Sequence, residues 1–255
     1  MSNLARLLEQ HRAYPEKILY RQHIADAWQD FSVRDVMALA ARWQQAFRSL
    51  GYERGDRVAL CLRNGVDWVA IDQAALGLGL VVVPLYVDDN PQNLAWCLAD
   101  SGARLLVLEN TRLLAALTGA MQAPPAIVCL HGEVPAPAIS AGGWLPESGG
   151  PFEVSDLDER ALATIVYTSG TTGRPKGVML SMDNVLVSAT NGNAFDHLTE
   201  NEEVIAYLPL AWVGDHYLNY AQALVAAFCL ACPESGETVT AEGRSLVLLR
   251  REDRA

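Results

Sequence analysis

The chain has 255 residues, of which 51% are hydrophobic and 19% are charged, so it can form a packed globular protein and is not expected to be disordered. Its 19 Lys and Arg against 30 Asp and Glu give a net charge of −11, which would repel a phosphate backbone. Nucleic acid is therefore excluded as an expected partner.

The cysteine count and the apolar runs indicate the cellular location of the protein. Five cysteines are an odd number, which argues against a disulfide framework, and Cys229 and Cys232 form one CxxC with no second cluster near it. Packing in an apolar helix is favoured for this pair over metal or redox duty. Residues 1–10 lack a secretory apolar core, and the run 76–87 is too short to span a bilayer. The cytoplasm is the expected location.

The first half of the chain alternates between helical and extended patterns. Ser32 begins an S-x-x-D helix start, and apolar residues then recur at helical spacing up to Gly51. Asn90 and Pro91 form a predicted cap and first helical residue. Further helical patterns occupy 68–78, the residues after Pro91, and 111–121. Strands are predicted at 57–62, 81–86, 104–108 and 126–130. The alternation predicts an α/β fold, a doubly wound and mostly parallel sheet flanked by helices, with ligands near the carboxyl ends of its strands.

The second half continues this pattern after a connection. Residues 131–158 are rich in Pro, Gly, Ser and acidic residues and are predicted to form a surface connection. A strand is predicted at 163–168, and an extended segment at 178–180 precedes a helix capped near Ser181 or Asp183. The loop before residue 178 is therefore expected to link two strands.

That loop, YTSGTTGRPKGV at 167–178, has the composition of an anion-binding segment. It is not a Walker loop, because Lys176 follows Pro175 rather than Gly and precedes Gly177 rather than Ser or Thr. Its glycines let backbone amides approach a ligand, its hydroxyl groups can donate hydrogen bonds, and Lys176 is one of only two Lys in the chain. A polar turn with an incidental Lys is the alternative that residue types alone leave open.

The sequence YTSGTTGRPKGVMLS resembles the signature loop of the adenylate-forming superfamily, which includes acyl-CoA synthetases, luciferases and the adenylation domains of peptide synthetases. The segments 55–86 and 98–110 resemble the amino-terminal region of the same family. The segment 207–224, YLPLAWVGDHYLNYAQAL, resembles its acyl-pocket segment and is most like long-chain fatty acid–CoA ligases.

This resemblance implies a reaction and a set of site residues. A carboxylate attacks the α-phosphate of ATP bound with Mg²⁺, pyrophosphate leaves, and the thiol of coenzyme A captures the acyl-adenylate. The implied partners are small molecules: a fatty acid, ATP and coenzyme A. Thr172 and Lys176 are the implied catalytic residues, and no residue is assigned to a metal. The residues implied to hold the β- and γ-phosphates are Thr168, Ser169, Gly170, Thr171, Thr172, Gly173 and Lys176.

The resemblance also implies an acyl pocket. Its candidate residues are Trp212, Val213, Gly214, Asp215 and His216. Ordinary packing is the alternative, with Asp215 and His216 capping a helix. A Ser-His-Asp hydrolase is disfavoured because the chain contains no GxSxG segment. Relatives often meet membranes peripherally, but no basic amphipathic helix indicates such contact here.

The chain departs from the family in two ways. Met182 and Trp212 stand where members often have His, which leaves the acid specificity and the nucleotide contacts open. We recognise no family resemblance in residues 240–255, so we expect 1–239 to be a partial amino-terminal domain followed by an aberrant or disordered tail.

Such a truncated chain is expected to be inactive alone, because it lacks the family's later motifs and its carboxyl-terminal half. Apolar surface, including the region 223–232, is expected to be exposed. A fragment of an aryl or amino acid adenylating enzyme and a non-catalytic nucleotide-binding remnant are the alternative functions.

Overall fold

The computed structural model describes residues 3–168, 174–233 and 249–250. The helices are α1 (Leu4–His11), α2 (Val33–Ser49), α3 (Val66–Leu78), α4 (Pro91–Ser101), α5 (Leu114–Ala120), α6 (Ala141–Trp144), α7 (Met182–Asp196), α8 (Val213–Asp215) and α9 (Gln222–Ala226), with a 3₁₀ turn at Thr111–Leu113 and a π-helical turn at His216–Ala221. The strands are β1 (Ile18–Ile24), β2 (Ala27–Ser32), β3 (Arg57–Cys61), β4 (Val81–Pro84), β5 (Leu105–Leu108), β6 (Ala126–Cys129), β7 (Ile139–Ser140), β8 (Leu162–Thr168), β9 (Lys176–Ser181), β10 (Glu202–Ile205), β11 (Cys229–Cys232) and β12 (Leu249–Arg250).

The larger sheet has the strand order β7-β6-β5-β3-β4-β8-β9. Every neighbouring pair in it is parallel except β8 and β9. Successive residues of β3 point to opposite faces, so Val58 and Leu60 join the core that contains α2 and α3, whereas Ala59 and Cys61 join the core under α4 and α5. The prediction of a doubly wound, mostly parallel sheet flanked by helices is confirmed.

Local signals in the sequence explain where the helices begin and end. Ser32 and Asp35 form a capping box at the start of α2, in which each side chain accepts a hydrogen bond from the other residue's backbone N–H. Asn90 accepts a hydrogen bond from the Asn93 backbone at 2.8 Å and so caps α4. Helix α3 ends at Gly79, which has φ = +78°, a conformation that favours glycine. The helix starts predicted from these patterns are confirmed.

A second sheet, with strand order β12-β10-β11-β1-β2, was not predicted. Its strand β1 pairs in parallel with β11, so that Tyr20 lies beside Leu230. Cys229 and Cys232 lie on β11, and the prediction that they pack in an apolar helix is therefore wrong. Both thiols are buried, and residues three apart on a strand point to opposite faces, so this CxxC does not form one site.

The connection 131–158 packs more closely than a surface loop. It contributes the short elements β7 and α6, and Phe152 is buried in the core. A Cβ atom added at Gly149 would lie 2.0 Å from the backbone carbonyl carbon of Ala41 in α2. This contact fixes the connection against the helix layer.

Exposed apolar side chains lie elsewhere than expected. None of the residues 223–232 is exposed, so the expectation of exposed apolar surface there is wrong. Met179 on β9 and Phe195 on α7 are instead 70% and 83% exposed.

No helix in the described part of the chain is both long and apolar enough to cross a bilayer. Of the segment 240–255, the structure describes only β12, which pairs antiparallel with β10.

Candidate functional site

The β8–β9 hairpin carries the predicted phosphate-binding segment. Strand β8 is the last parallel strand of the larger sheet, and β9 returns beside it in the antiparallel direction. Thr168 ends β8 and pairs directly with Lys176, the first residue of β9. Side chains that face each other across such a pair lie on the same face of the sheet, with Cβ atoms about 5 Å apart. The hairpin confirms that the loop links two strands, and it brings a hydroxyl and an ammonium group together.

The Lys176 side chain is exposed and available to a ligand. Within the described residues 3–168 and 174–233, the Lys176 amine makes no hydrogen bond or ion pair. The remaining predicted phosphate contacts lie outside the described residues: Ser169, Gly170, Thr171, Thr172 and Gly173. The structure therefore places two of the seven predicted contacts, and these two are neighbours.

The hairpin and the loop after β4 emerge at one edge of the larger sheet. Strands β4 and β8 are parallel neighbours, with Val82 beside Thr164, so both strands end at the same edge. In open α/β sheets ligands bind outside the carboxyl ends of the strands. Thr168 and the segment 85–88 occupy this position.

A cavity of about 330 Å³ lies at the same edge, between the two sheets. Its walls come from the loops that follow β3 and β4 in the larger sheet and β10 and β11 in the smaller one. The lining residues are Leu62, Arg63, Asn64, Leu85, Tyr86, Val87, Asp88, Ala206, Tyr207, Pro209, Ala211 and Pro233. Most of these side chains are apolar or aromatic, with Arg63 and Asp88 as charged exceptions, so the cavity suits an organic group with an apolar body.

Asn64 joins the two sheets at this cavity, and sequence reasoning missed it. Its side-chain amide donates hydrogen bonds to the carbonyl oxygens of Ala206 at 2.9 Å and Leu208 at 2.7 Å. Its side-chain oxygen accepts a hydrogen bond from the Leu210 backbone at 2.8 Å. These three bonds fix the loop after β10 to the end of β3. Nothing in the local pattern marks the residue, because its partners lie more than a hundred positions away.

The predicted acyl-pocket residues divide into an exposed and a buried group. Trp212, Val213 and Gly214 are exposed, and the Trp212 ring packs against Tyr86 with a centroid distance of 5.5 Å. Tyr86 lines the cavity, so Trp212 lies at its rim. Asp215 and His216 are instead only 3% and 2% exposed.

Burial sets the protonation of Asp215 and His216. It raises the pKa of Asp215 to about 6, partly offset by the hydrogen bond from Asn219, and it lowers the pKa of His216 to about 4. His216 is therefore neutral near pH 7, and its ring meets Trp68 edge-on at a centroid distance of 5.5 Å. Asp215 occupies the N-cap position of the π-helical turn without a side-chain capping hydrogen bond, and His216 occupies the C-cap position of α8, where its backbone N–H bonds to the Val213 carbonyl oxygen.

The π-helical turn that follows is held by a buried polar network. The Tyr220 hydroxyl donates a hydrogen bond to the Asp72 carboxylate and accepts one from the Gln73 amide, and all three side chains are buried. Burial raises the pKa of Asp72 to about 7, against the opposing effect of the Tyr220 bond.

Among the described residues no group of three or more His, Cys, Asp or Glu side chains could hold a metal ion.

Comparison with known proteins gives one consistent result. Residues 7–253 match the family model described as AMP-binding enzyme. The long-chain-fatty-acid–CoA ligase FadD15 of Mycobacterium bovis is 30% identical over 221 residues, which are 82% of this chain and 36% of that protein. The 3-hydroxybenzoate–CoA/4-hydroxybenzoate–CoA ligase of Thauera aromatica is 33% identical over 165 residues, which are 64% of this chain and 32% of that protein.

A solved structure shows the same fold. The crystal structure of the anthranilate CoA ligase AuaEII in complex with anthranoyl-AMP superposes with a TM-score of 0.82 at 21% identity, covering 90% of this chain and 44% of that one. The chain thus spans about a third of the length of the curated relatives reported above.

Proposed function

This chain belongs to the AMP-binding enzyme family, and from that premise we propose that it takes part in the ATP-dependent activation of a carboxylic acid, with a fatty acid as the leading substrate. The observation that carries the proposal is the Thr168–Lys176 pair, which lies at the same sheet edge as the apolar cavity. One feature suits a polyphosphate and the other suits the body of an organic acid.

The first step joins the acid to AMP. An oxygen of the carboxylate forms a bond to the α-phosphorus of ATP, the bond from that phosphorus to the bridging oxygen breaks, and pyrophosphate leaves with the electron pair. Negative charge builds on the leaving group, so donors fixed around its oxygens lower the barrier. Lys176 and Thr172 are the proposed catalytic residues, and the backbone and hydroxyl groups of 168–173 are proposed to hold the β- and γ-phosphates. Magnesium bound with ATP would neutralise part of this charge.

The second step transfers the acyl group. The thiolate sulfur of coenzyme A bonds to the acyl carbon, and AMP leaves with the electrons of the broken carbon–oxygen bond. We assign no residue of this chain to that step.

The cavity gives support to a second substrate class. Small-molecule pockets span roughly 300 to 1,000 Å³, and a volume of about 330 Å³ is at the lower end of this range. A cavity of about 150 Å³ can hold benzene, so this cavity has room for an aryl acid. The similarity to a hydroxybenzoate–CoA ligase is consistent with an aryl acid. We therefore keep aryl acid activation as the second candidate.

Binding and exchange measurements on the purified chain test the proposal. MgATP and magnesium pyrophosphate are titrated by calorimetry, and exchange of labelled pyrophosphate into ATP is followed with fatty, aryl and amino acids in turn. Exchange that depends on fatty acids supports the leading substrate, and exchange only with aryl or amino acids replaces it. MgATP binding without exchange would identify a non-catalytic remnant. If the chain binds neither ligand, the proposal is wrong.

A further inference from the structure

Helix α4 contacts both sides of the hairpin's turn. The Tyr167 hydroxyl donates a hydrogen bond to the Asp100 carboxylate at 2.7 Å, and the Trp96 indole N–H donates one to the Pro175 carbonyl oxygen at 3.1 Å. Trp96 and Asp100 are four residues apart and so lie on the same side of α4. Tyr167 precedes the segment 168–174, and Pro175 follows it.

Trp96 makes a second contact on the same side. The guanidinium carbon of Arg174 lies 4.5 Å from the centroid of the Trp96 ring. This distance is within the range of a cation–π contact, which is worth about 0.5–1 kcal/mol at an exposed site. One indole therefore holds the two consecutive residues, Arg174 and Pro175, that lead into β9.

The hairpin has little other support on its outer side. Strand β9 is the last strand of the larger sheet, and its first four residues are exposed. Beside the hairpin an open cavity of about 600 Å³ separates Arg174 and Pro175 from the end of α5. Within the described residues, the contacts from Trp96 and Asp100 bridge the hairpin to the helix layer next to this space.

We propose that Trp96 and Asp100 are positioning residues, which fix Tyr167 and Pro175 and so hold the adjoining Thr168 and Lys176 in place before the ligand arrives. This inference rests on the proposed function, because it assigns a purpose to the same hairpin. Neither side chain needs to touch the ligand. Losing them would loosen the pairing of Thr168 with Lys176, so that binding has to order these two residues at a cost in affinity.

Titration of the full chain with magnesium pyrophosphate tests this role. Trp96→Leu removes both indole contacts and is expected to weaken binding about tenfold, the effect of one hydrogen bond and one cation–π contact. Trp96→Phe keeps a ring for Arg174 and should recover part of that loss. Asp100→Ala and Tyr167→Phe should each weaken binding about threefold to tenfold, and the double variant should be no weaker than Asp100→Ala alone.

Two control variants make the same Tyr→Phe and Trp→Leu substitutions at positions away from the hairpin. Tyr52→Phe removes a hydroxyl that donates to the Arg104 carbonyl oxygen, and Trp28→Leu removes an indole on β2. Both should bind pyrophosphate as the wild type does. Free energies of unfolding, measured without ligand, separate lost positioning from lost stability.

The outcomes distinguish this inference from the proposed function. If the wild type fails to bind pyrophosphate, the proposed function fails, and the positioning role falls with it. If the wild type binds and Trp96→Leu and Asp100→Ala bind equally well, the positioning role alone is overturned. Should Trp96→Leu not fold, Trp96→Phe and Tyr167→Phe decide the question, and unchanged affinity in both would refute it.

Discussion

Two regions that carry titratable side chains differ in their relation to water. On the β8–β9 hairpin, Lys176 is exposed, and nothing in the described residues neutralises it. In the helical segment after Trp212, Asp215 and His216 are buried, His216 meets aromatic rings, and burial raises the pKa of Asp215 and lowers that of His216. Both regions resemble family segments, yet only one presents a charge to a ligand.

The exposure of a titratable side chain to solvent decides whether its charge is available to a ligand. A buried charge is costly unless it is paired, so burial removes the charge of His216 instead of presenting it. Burial therefore suits Asp215 and His216 to a structural role, whereas the exposed Lys176 is accessible to a ligand. Four substitutions test this contrast.

The largest effect is expected from Trp68→Ala. Trp68 is fully buried, and its ring meets those of His216 and Tyr220 edge-on at 5.5 and 5.4 Å. Removing a buried aromatic side chain of this kind lowers the free energy of unfolding by about 3–5 kcal/mol. Urea denaturation followed by circular dichroism measures the change. A loss below about 1 kcal/mol would show that the segment is not supported by this cluster.

Lys176→Ala should change binding and leave stability unaltered. A charge-assisted hydrogen bond is worth about 1.5–3 kcal/mol, so affinity for magnesium pyrophosphate should fall by about 10- to 100-fold. Lys17→Ala is the matched control, because Lys17 is the other lysine of the chain and contacts Glu200 at 3.8 Å. Equal affinities for the two variants, measured by calorimetry, would contradict a phosphate role for Lys176.

Asp72→Asn should remove a pH dependence of stability. Burial raises the pKa of Asp72 to about 7 in the folded chain, whereas an unfolded Asp titrates near 4. The folded state therefore keeps a proton that the unfolded state has released, and the wild type loses stability as pH rises from about 4 to 7. Asn does not titrate, so the free energy of unfolding of Asp72→Asn, relative to wild type, should rise by about 2 kcal/mol between pH 5 and pH 7.

The test is a pair of urea titrations at the two pH values. Asp215 and His216 are present in both proteins, so their own titrations cancel in the difference. A constant difference between variant and wild type would mean that Asp72 does not change its protonation in this range.

The smallest overall effect is expected from Trp212→Ala. The Trp212 side chain is 47% exposed, and substitutions at such positions usually change the free energy of unfolding by about 0.5 kcal/mol. Its contact with Tyr86 at the cavity rim should make the effect appear in acid binding instead. Titration with a fatty acid and with benzoate measures this, and Trp28→Ala serves as the control. A loss of stability without any change in acid binding would show that Trp212 does not belong to the acid-binding site.

The sequence predicted those parts of the fold that depend on neighbours along the chain. Capping residues such as Ser32 and Asn90 marked helix starts, and the buried run of β4 indicated a strand covered on both faces. The smaller sheet was missed because β1 and β11 pair across most of the chain. The four-residue strand of Cys229 and Cys232 carries no alternation that distinguishes it from a buried helix.

The candidate site was predictable to the same extent. The hairpin was recognised from a contiguous segment, and its antiparallel pairing of Thr168 with Lys176 follows from two strands joined by a short loop. The cavity was not predictable, because loops from four strands form it and Asn64 acts on residues of another sheet. Burial of His216 depends on Trp68, which lies on α3 far earlier in the chain.

Asn64 also limits how this protein can vary. Among side chains of this length, only asparagine can donate two N–H hydrogen bonds and accept a third on its oxygen. Aspartate would turn its oxygens toward two carbonyl groups, and glutamine would reach one methylene too far. Any attempt to reshape the cavity for a different acid must therefore redesign the loop 206–210 together with this single amide.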